Sequence, residues 1–85
     1  MTTTAAHETT TLNVAVDVRF SPAGLPLALR HDGHLWVVTD EPVHWSGADI
    51  EFWQVQGKLS STAAPRTFLL HRDPGAAQWL LESVS

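Results

Sequence analysis

Residues 25–38, LPLALRHDGHLWVV, decide the fold because they predict a β-hairpin. Two apolar runs flank Asp32-Gly33, and this dipeptide suits a two-residue type I′ turn because Gly tolerates the positive φ that such a turn requires. A one-residue slip would expose the apolar face of the hairpin, so burial and turn chemistry predict the same register. The predicted cross-strand pairs are His31 with His34, Leu29 with Trp36 and Leu27 with Val38, and the face predicted to be buried carries Leu27, Leu29, Trp36 and Val38.

Strand patterns continue on both sides of this hairpin. Residues 11–20 alternate between apolar and polar side chains, which predicts a half-buried strand, and residues 21–24, SPAG, end it. On the other side, residues 40–42, DEP, are expected to break the pairing, so that only a short extended piece precedes a turn at Ser46-Gly47. The apolar face of the first strand is predicted to consist of Leu12, Val14, Val16, Val18 and Phe20.

The C-terminal half of the chain predicts further strands. Residues 49–58, DIEFWQVQGK, carry apolar side chains on both faces, so this strand needs cover on both sides. A loop at residues 59–65 separates it from another strand at residues 66–72. Residues 76–84 are ambiguous, because a helix could begin at Asp73-Pro74. We favour a strand, which would pair with residues 66–72 across the intervening turn.

Five or six strands in meander order predict an all-β protein. We expect the antiparallel sheet to curl into an SH3-like or otherwise partly open small barrel, because curling covers the exposed edges. The alternative is an antiparallel sheet with a C-terminal helix. Residues 1–10 have no apolar periodicity to offset the entropy of ordering and are predicted to be a disordered tail, which leaves residues 11–85 as a single domain.

Composition narrows the classes of function. The 85 residues contain no cysteine, which excludes disulfides and thiolate metal sites and fits a reducing compartment, so we expect a cytoplasmic location. We expect no membrane partner, because no segment is long and apolar enough to span a bilayer. The net charge of −4 opposes attraction to phosphate backbones, which disfavours nucleic acid as the partner.

The residues that could carry catalysis or hold a metal form no recognisable constellation. His31 and His34 flank the turn near Asp32, but a structural metal site needs about four ligands and local geometry places only these two. The chain lacks a cysteine nucleophile, a nucleophile-elbow motif, a phosphate-binding glycine loop and an HExxH motif. Asp49 and Glu51 share a strand face, where paired acids usually form a solvated edge. We therefore expect no enzyme activity, no metal and no cofactor.

Among the four tryptophans, Trp36 is expected in the core, whereas Trp45 lies beside a turn, where its ring is harder to cover. An exposed Trp45 could anchor a peptide or stack on a base; alternatively, its ring closes one open end of the barrel. The acids around it favour a basic protein surface over nucleic acid. The sequence thus predicts a non-catalytic protein-interaction domain, with a nucleic-acid or small-ligand binding module as the alternative. The predicted binding residues are Trp45, Asp40, Glu41, Asp49 and Glu51.

Short motifs over residues 25–84 carry a resemblance to a known family. A glycine-containing hairpin precedes an apolar strand and a tryptophan, a W-x-V strand follows, and a W-x-L strand closes the chain. With this pattern the chain resembles a small uncharacterised all-β family known mainly from actinobacteria. The matching residues are Gly33, Trp45, Trp53 with Val55, and Trp79 with Leu81. Family members often have Arg after the hairpin glycine, where this chain has His34, so the resemblance carries over no phosphate contact.

The same aromatic pattern is similar to the C-terminal tail of the catalytically inactive Y-family polymerase homologue of the bacterial mutagenic-repair complex. That tail serves protein contacts. The resemblance therefore implies a stand-alone adaptor domain linked to DNA damage tolerance, and it identifies no catalytic residue.

Overall fold

Six antiparallel strands follow one another in chain order in the computed structural model, which describes residues 10–85. Each strand pairs with its neighbours along the chain, and the first also pairs with the last, so the sheet closes into a barrel. The predicted all-β meander and small barrel are confirmed, and the barrel is closed. The strands are β1 (Thr10–Phe20), β2 (Pro26–His31), β3 (His34–Gly47), β4 (Ile50–Lys58), β5 (Arg66–Arg72) and β6 (Trp79–Val84).

The two ends of the described chain meet in the barrel wall. The predicted disordered tail, residues 1–10, lies outside the described residues except for Thr10, which begins β1. At the other end, the ambiguous segment is a strand, as favoured, and not a helix. Trp79 and Leu81 share the buried face of β6, as the strand interpretation requires. Between residues 10 and 85 we find no helix with the length and apolarity needed to cross a membrane.

The turn of the central hairpin has the predicted chemistry. Asp32 and Gly33 have φ values of 55° and 75°, which are the left-handed values that a type I′ turn requires. The predicted register next to this turn is confirmed, since His31 pairs with His34 and Leu29 pairs with Trp36, but the predicted pair of Leu27 with Val38 does not form because the pairing ends at Ala28 and Val37. Leu29 and Trp36 are both buried, so the inner face of the hairpin faces the barrel core.

Two residues that were predicted to face the core are instead exposed, and each lies at or next to a β-bulge. Leu27 is 46% exposed, because β1 pairs with the residues on either side of it and leaves it as an extra residue in β2. Val14 is 41% exposed beside a second bulge, where Asn13 adopts a φ of 54°. The period-two pattern of the sequence cannot show such bulges, although Val16, Val18 and Phe20, which follow the bulge in β1, keep the predicted core side.

Strand β3 differs most from the expectation. The segment Asp40-Glu41-Pro42 was predicted to end the pairing, but it forms a bulge within one continuous strand, and Asp40 adopts a φ of 46°. Pairing with β4 resumes at Val43 and continues to Gly47. Proline is tolerated here because a bulge leaves residues out of the hydrogen-bond ladder. The result is a 14-residue strand in place of the predicted short piece.

The barrel core contains two aromatic groups. Near the Asp32-Gly33 turn, the rings of Trp36 and Phe68 meet edge to face with centroids 5.0 Å apart. Toward the other end, the ring of Phe20 lies 6.3 Å from that of Trp53 and 5.7 Å from that of Trp79. Tilted and edge-to-face contacts of this kind add to the stabilisation from apolar burial. Between them lie the fully buried aliphatic side chains Leu29, Val55, Leu70 and Leu81.

Candidate protein-binding site

The hairpin formed by β3 and β4 extends beyond the end of β2, the strand that neighbours β3 in the barrel. Pairing of β3 with β2 is confined to residues 34–37, whereas β3 remains paired with β4 as far as Gly47. We call residues 39–54 the acidic hairpin, because this segment contains four acidic residues and no Lys or Arg. These acids are the predicted binding residues Asp40, Glu41, Asp49 and Glu51.

The tip of the acidic hairpin is a second two-residue turn. Ala48 and Asp49 adopt φ values of 52° and 68°, and Gly47 pairs with Ile50 across them. The turn was predicted two residues earlier, at Ser46-Gly47, and that placement is wrong. Asp49 therefore lies in the turn, exposed, and does not share a strand face with Glu51 as was expected.

Trp45 lies on the outer face of the acidic hairpin. Its ring stacks on that of Phe52, the residue opposite it in β4, with centroids 5.3 Å apart and planes within 8° of parallel. Trp45 remains 40% exposed. Because the neighbouring Trp53 is buried on the inner face, Trp45 does not close an end of the barrel, and that alternative is wrong. Because β4 carries apolar side chains on both faces, its outer face needs cover, and the ring of Trp45 covers Phe52 there.

The remaining predicted binding residues lie in different environments. Asp40 and Glu41 are exposed in the bulge of β3, and Asp49 is exposed at the hairpin tip. Glu51 differs, because its carboxylate is held by two side chains. Arg72 Nη2 donates to Glu51 Oε1 over 2.7 Å, and His44 Nε2 lies 2.9 Å from Oε2. The carboxylate of Glu51 is therefore engaged within the protein, whereas the other three acids face solvent.

Burial alone would raise the pKa of Glu51, but the hydrogen bonds from Arg72 and His44 and the positive charge of Arg72 outweigh it and hold that pKa below its usual value. A carboxyl whose pKa is lower in the folded state stabilises the fold above its unfolded pKa and loses that effect as the pH falls through the folded pKa. The contribution is modest, because the pair is partly exposed to solvent.

This linkage predicts how Glu51→Gln changes the pH dependence of stability. At neutral pH the variant is expected to unfold at a lower temperature than the wild type, and the difference is expected to shrink as the pH falls below roughly 4.3, the unfolded pKa of Glu. Thermal unfolding followed by circular dichroism across this range measures the difference. A constant difference from neutral pH to strong acid would show that the interaction with Arg72 contributes nothing.

A cleft of about 230 Å³ lies at the aromatic end of the barrel, below the inner face of the acidic hairpin. The guanidinium of Arg72 lies 4.6 Å from the centre of the Trp79 ring, which forms one wall. Trp53 forms another wall, and its buried indole N–H has no hydrogen-bond partner among the described residues. The ring of His44 packs on Trp53 with centroids 4.4 Å apart. The lining residues are Phe20, Gly24, Glu51, Trp53, Arg72 and Trp79.

Sequence reasoning missed three residues of this region. Phe52 was placed in a strand, but its role as the support of Trp45 depends on the register of β3 with β4. The interaction of Arg72 with Glu51 joins β5 to β4, so no local pattern could reveal it. His44 could have been assigned to the inner face from its position next to Trp45, had the strand been predicted to continue.

The described histidines have separate surroundings. The ring of His34 lies with Nδ1 2.9 Å from the carbonyl oxygen of Asp32, within the turn itself. Nowhere in residues 10–85 do three or more His, Asp or Glu side chains form a group that could hold a metal ion. His71 Nδ1 lies 3.2 Å from Glu82 Oε1 in a separate contact between β5 and β6, which is close enough for ion pairing although the pair is not aligned as a hydrogen bond.

Fold and site together define a small closed antiparallel barrel with a projecting acidic, aromatic hairpin. Comparison of the chain with protein-family models, curated proteins and solved structures finds no significant match.

Proposed function

We propose that this protein is a non-catalytic protein-interaction domain that binds a partner through the acidic hairpin. The observation that carries the proposal is the outward stack of Trp45 on Phe52. A large ring held rigidly on a supporting ring, and still 40% exposed, loses little conformational entropy when a partner covers it. Tryptophans in such positions often dominate binding energy at protein interfaces.

The charges near Trp45 favour a basic partner surface. Asp40 and Glu41 are exposed before it in β3, and Asp49 is exposed at the hairpin tip. The acidic hairpin has no Lys or Arg to neutralise them, so the local field is negative. Such a field speeds association with a positively charged surface and rejects an acidic one.

Capture of partners from the native host tests the proposal, with wild type, Trp45→Ala and Leu35→Ala as baits. Leu35 is a matched control because it lies on the same strand and is 48% exposed, but near the opposite end of the barrel. Once a partner is identified, truncation of Trp45 is expected to raise the dissociation rate about 30-fold, which corresponds to roughly 2 kcal/mol. Surface plasmon resonance gives both rate constants.

A second variant separates the roles of the ring and the acids. Asp40→Asn combined with Glu41→Gln is expected to lower the association rate and weaken its dependence on salt, with little change in the dissociation rate. Equal capture by wild type and Trp45→Ala, provided that the variant is folded, would place the interaction surface elsewhere. Unfolding caused by Trp45→Ala would mean that the ring of Trp45 stabilises the fold and is not a binding anchor.

The alternative proposal is a nucleic-acid or small-ligand module that uses the exposed ring of Trp45. Aromatic side chains can stack on bases, but the acidic hairpin would repel phosphates. An affinity for single-stranded DNA that falls steeply with salt and requires Trp45 would favour this alternative. A cytoplasmic location, which the absence of cysteine supports, and a link to DNA damage tolerance, which the sequence resemblance supports, complete the proposal.

A further inference from the structure

The acidic hairpin has an open edge, which we define as the side of residues 42–47 of β3 that faces away from β4. Strands β2, β4, β5 and β6 pair with a neighbour on either side, and β1 pairs with β6 over residues 10–16 and with β2 over residues 17–20. At residues 42–47, however, β3 is paired only with β4. The pairing of β3 with β2 ends at Val37, and among residues 10–85 no other strand pairs with the opposite side of β3 after Val37. An unpaired edge of this kind offers backbone donors and acceptors to an added strand.

The turn at the hairpin tip determines which backbone groups face the open edge. In an antiparallel hairpin closed by a two-residue loop, the residues that flank the loop form a hydrogen-bonded pair, and such pairs then alternate with non-hydrogen-bonded ones. The first pair is Gly47 with Ile50, so Trp45 and Val43 also bond to β4. The N–H and C=O groups of His44 and Ser46 therefore point toward the open edge.

Charge argues against a second copy of this chain as the occupant. Two open edges pairing with each other would bring together two sets of exposed acids, including Asp40, Glu41 and Asp49. Like charges on neighbouring strands are destabilising, and charged edges are a common device against edge-to-edge association. A segment that carries Lys or Arg meets the opposite field and is attracted.

We infer that the acidic hairpin binds an extended, lysine- or arginine-bearing protein segment that adds as a strand to its open edge. This inference rests on the proposed function and specifies its binding mode. The added strand bonds to the backbone of His44 and Ser46. Because side chains alternate across a strand, one set of its side chains lies on the outer face beside Trp45. The other set lies on the inner face, on the side of the aromatic cleft.

Amide exchange measured by NMR tests this binding mode in the full chain. In the free protein, the amides of His44 and Ser46 are expected to exchange faster than those of Val43 and Trp45, which bond to β4. A short synthetic peptide of alternating valine and lysine serves as the probe. At saturation it is expected to slow exchange at His44 and Ser46 by at least about tenfold and to leave Val43 and Trp45 little changed.

Two controls separate strand addition from side-chain binding. The same peptide N-methylated at every residue keeps its charges but cannot donate backbone hydrogen bonds, so it is expected not to bind. Ser46→Pro removes one donor from the open edge and leaves the β4 ladder intact, and it is expected to weaken peptide binding about tenfold relative to Ser46→Ala. The N-methylated peptide requires no change to the protein, so the test holds even if Ser46→Pro fails to fold.

The outcomes distinguish this inference from the proposed function. Protection of the His44 and Ser46 amides in the free protein would overturn the inference, because the edge would already be occupied. Equal binding of both peptides, or binding that leaves these amides unprotected, would also overturn strand addition, whereas a dependence on Trp45 would still support the proposed function. Failure of the valine-lysine peptide to bind, or stronger binding of a valine-glutamate peptide, would refute the basic partner segment.

Discussion

Phe68→Ala is expected to destabilise the protein by about 3–5 kcal/mol, the usual cost of truncating a buried phenylalanine. The side chain is 0% exposed, and its ring packs edge to face against Trp36. Its removal would leave a cavity whose walls are strands hydrogen-bonded on both sides, so the barrel cannot easily collapse to fill it. A domain of this size has little stability to lose, and we expect a large unfolded fraction near physiological temperature.

Urea denaturation of the wild type, Phe68→Ala and Leu35→Ala checks this expectation. Leu35 is also a large apolar residue, but it is 48% exposed, so its truncation is expected to change the free energy of unfolding by less than about 0.5 kcal/mol. A loss below about 1 kcal/mol for Phe68→Ala would contradict the packing of the barrel interior.

Gly57→Val is expected to cost about 3 kcal/mol, at the upper end of the range for overpacking a core. A Cβ atom at Gly57 would lie 2.9 Å from Cε1 of Phe68 and 3.3 Å from Cβ of Trp36. Both neighbours belong to the packed core, so neither can move aside without opening other contacts. Glycine is required at this position because the two side chains approach the backbone closely.

Gly47→Ala is the matched control for this substitution. Gly47 lies in β3 next to the hairpin tip, and a Cβ atom there would meet nothing within 4 Å. We expect the free energy of unfolding of the Gly47→Ala variant to be unchanged or slightly increased, because alanine restricts the unfolded chain more than glycine does. Thermal unfolding is expected to show a decrease of about 12 °C or more for Gly57→Val. Equal midpoints for the two variants would show that the Phe68 ring is free to move.

The effects expected for Phe68→Ala and Gly57→Val both follow from packing in the tertiary structure. The sequence makes the importance of Phe68 visible, but not that of Gly57. Phe68 lies in an apolar run that clearly predicts a buried strand, so its importance is visible in the sequence. Gly57 lies between Gln56 and Lys58 and looks like the polar end of a strand. Only the packing of β5 and β3 against β4 shows that a side chain has no room there.

At the candidate site, the sequence singled out Trp45 and the four acids but did not predict how they are arranged. Trp45 was singled out because a ring beside a turn is hard to cover, and it lies exposed on the hairpin. The acids were treated as one group, yet Glu51 pairs with Arg72 while Asp40, Glu41 and Asp49 face solvent. That division depends on which face each residue occupies, which the bulge in β3 and the turn at Ala48-Asp49 decide.

The sequence by itself determined the meander order and the register next to the turn of the central hairpin, but not the length of β3, which continues through Asp40-Glu41-Pro42. These properties follow from period-two alternation and from turn residues such as Asp32-Gly33, which act between close neighbours in the chain. The tertiary structure alone decided the bulges at Leu27 and beside Val14, the closure of β1 on β6 and the open edge of β3. Closing a barrel requires the strands to stagger and bend together, and that condition involves residues far apart in the sequence.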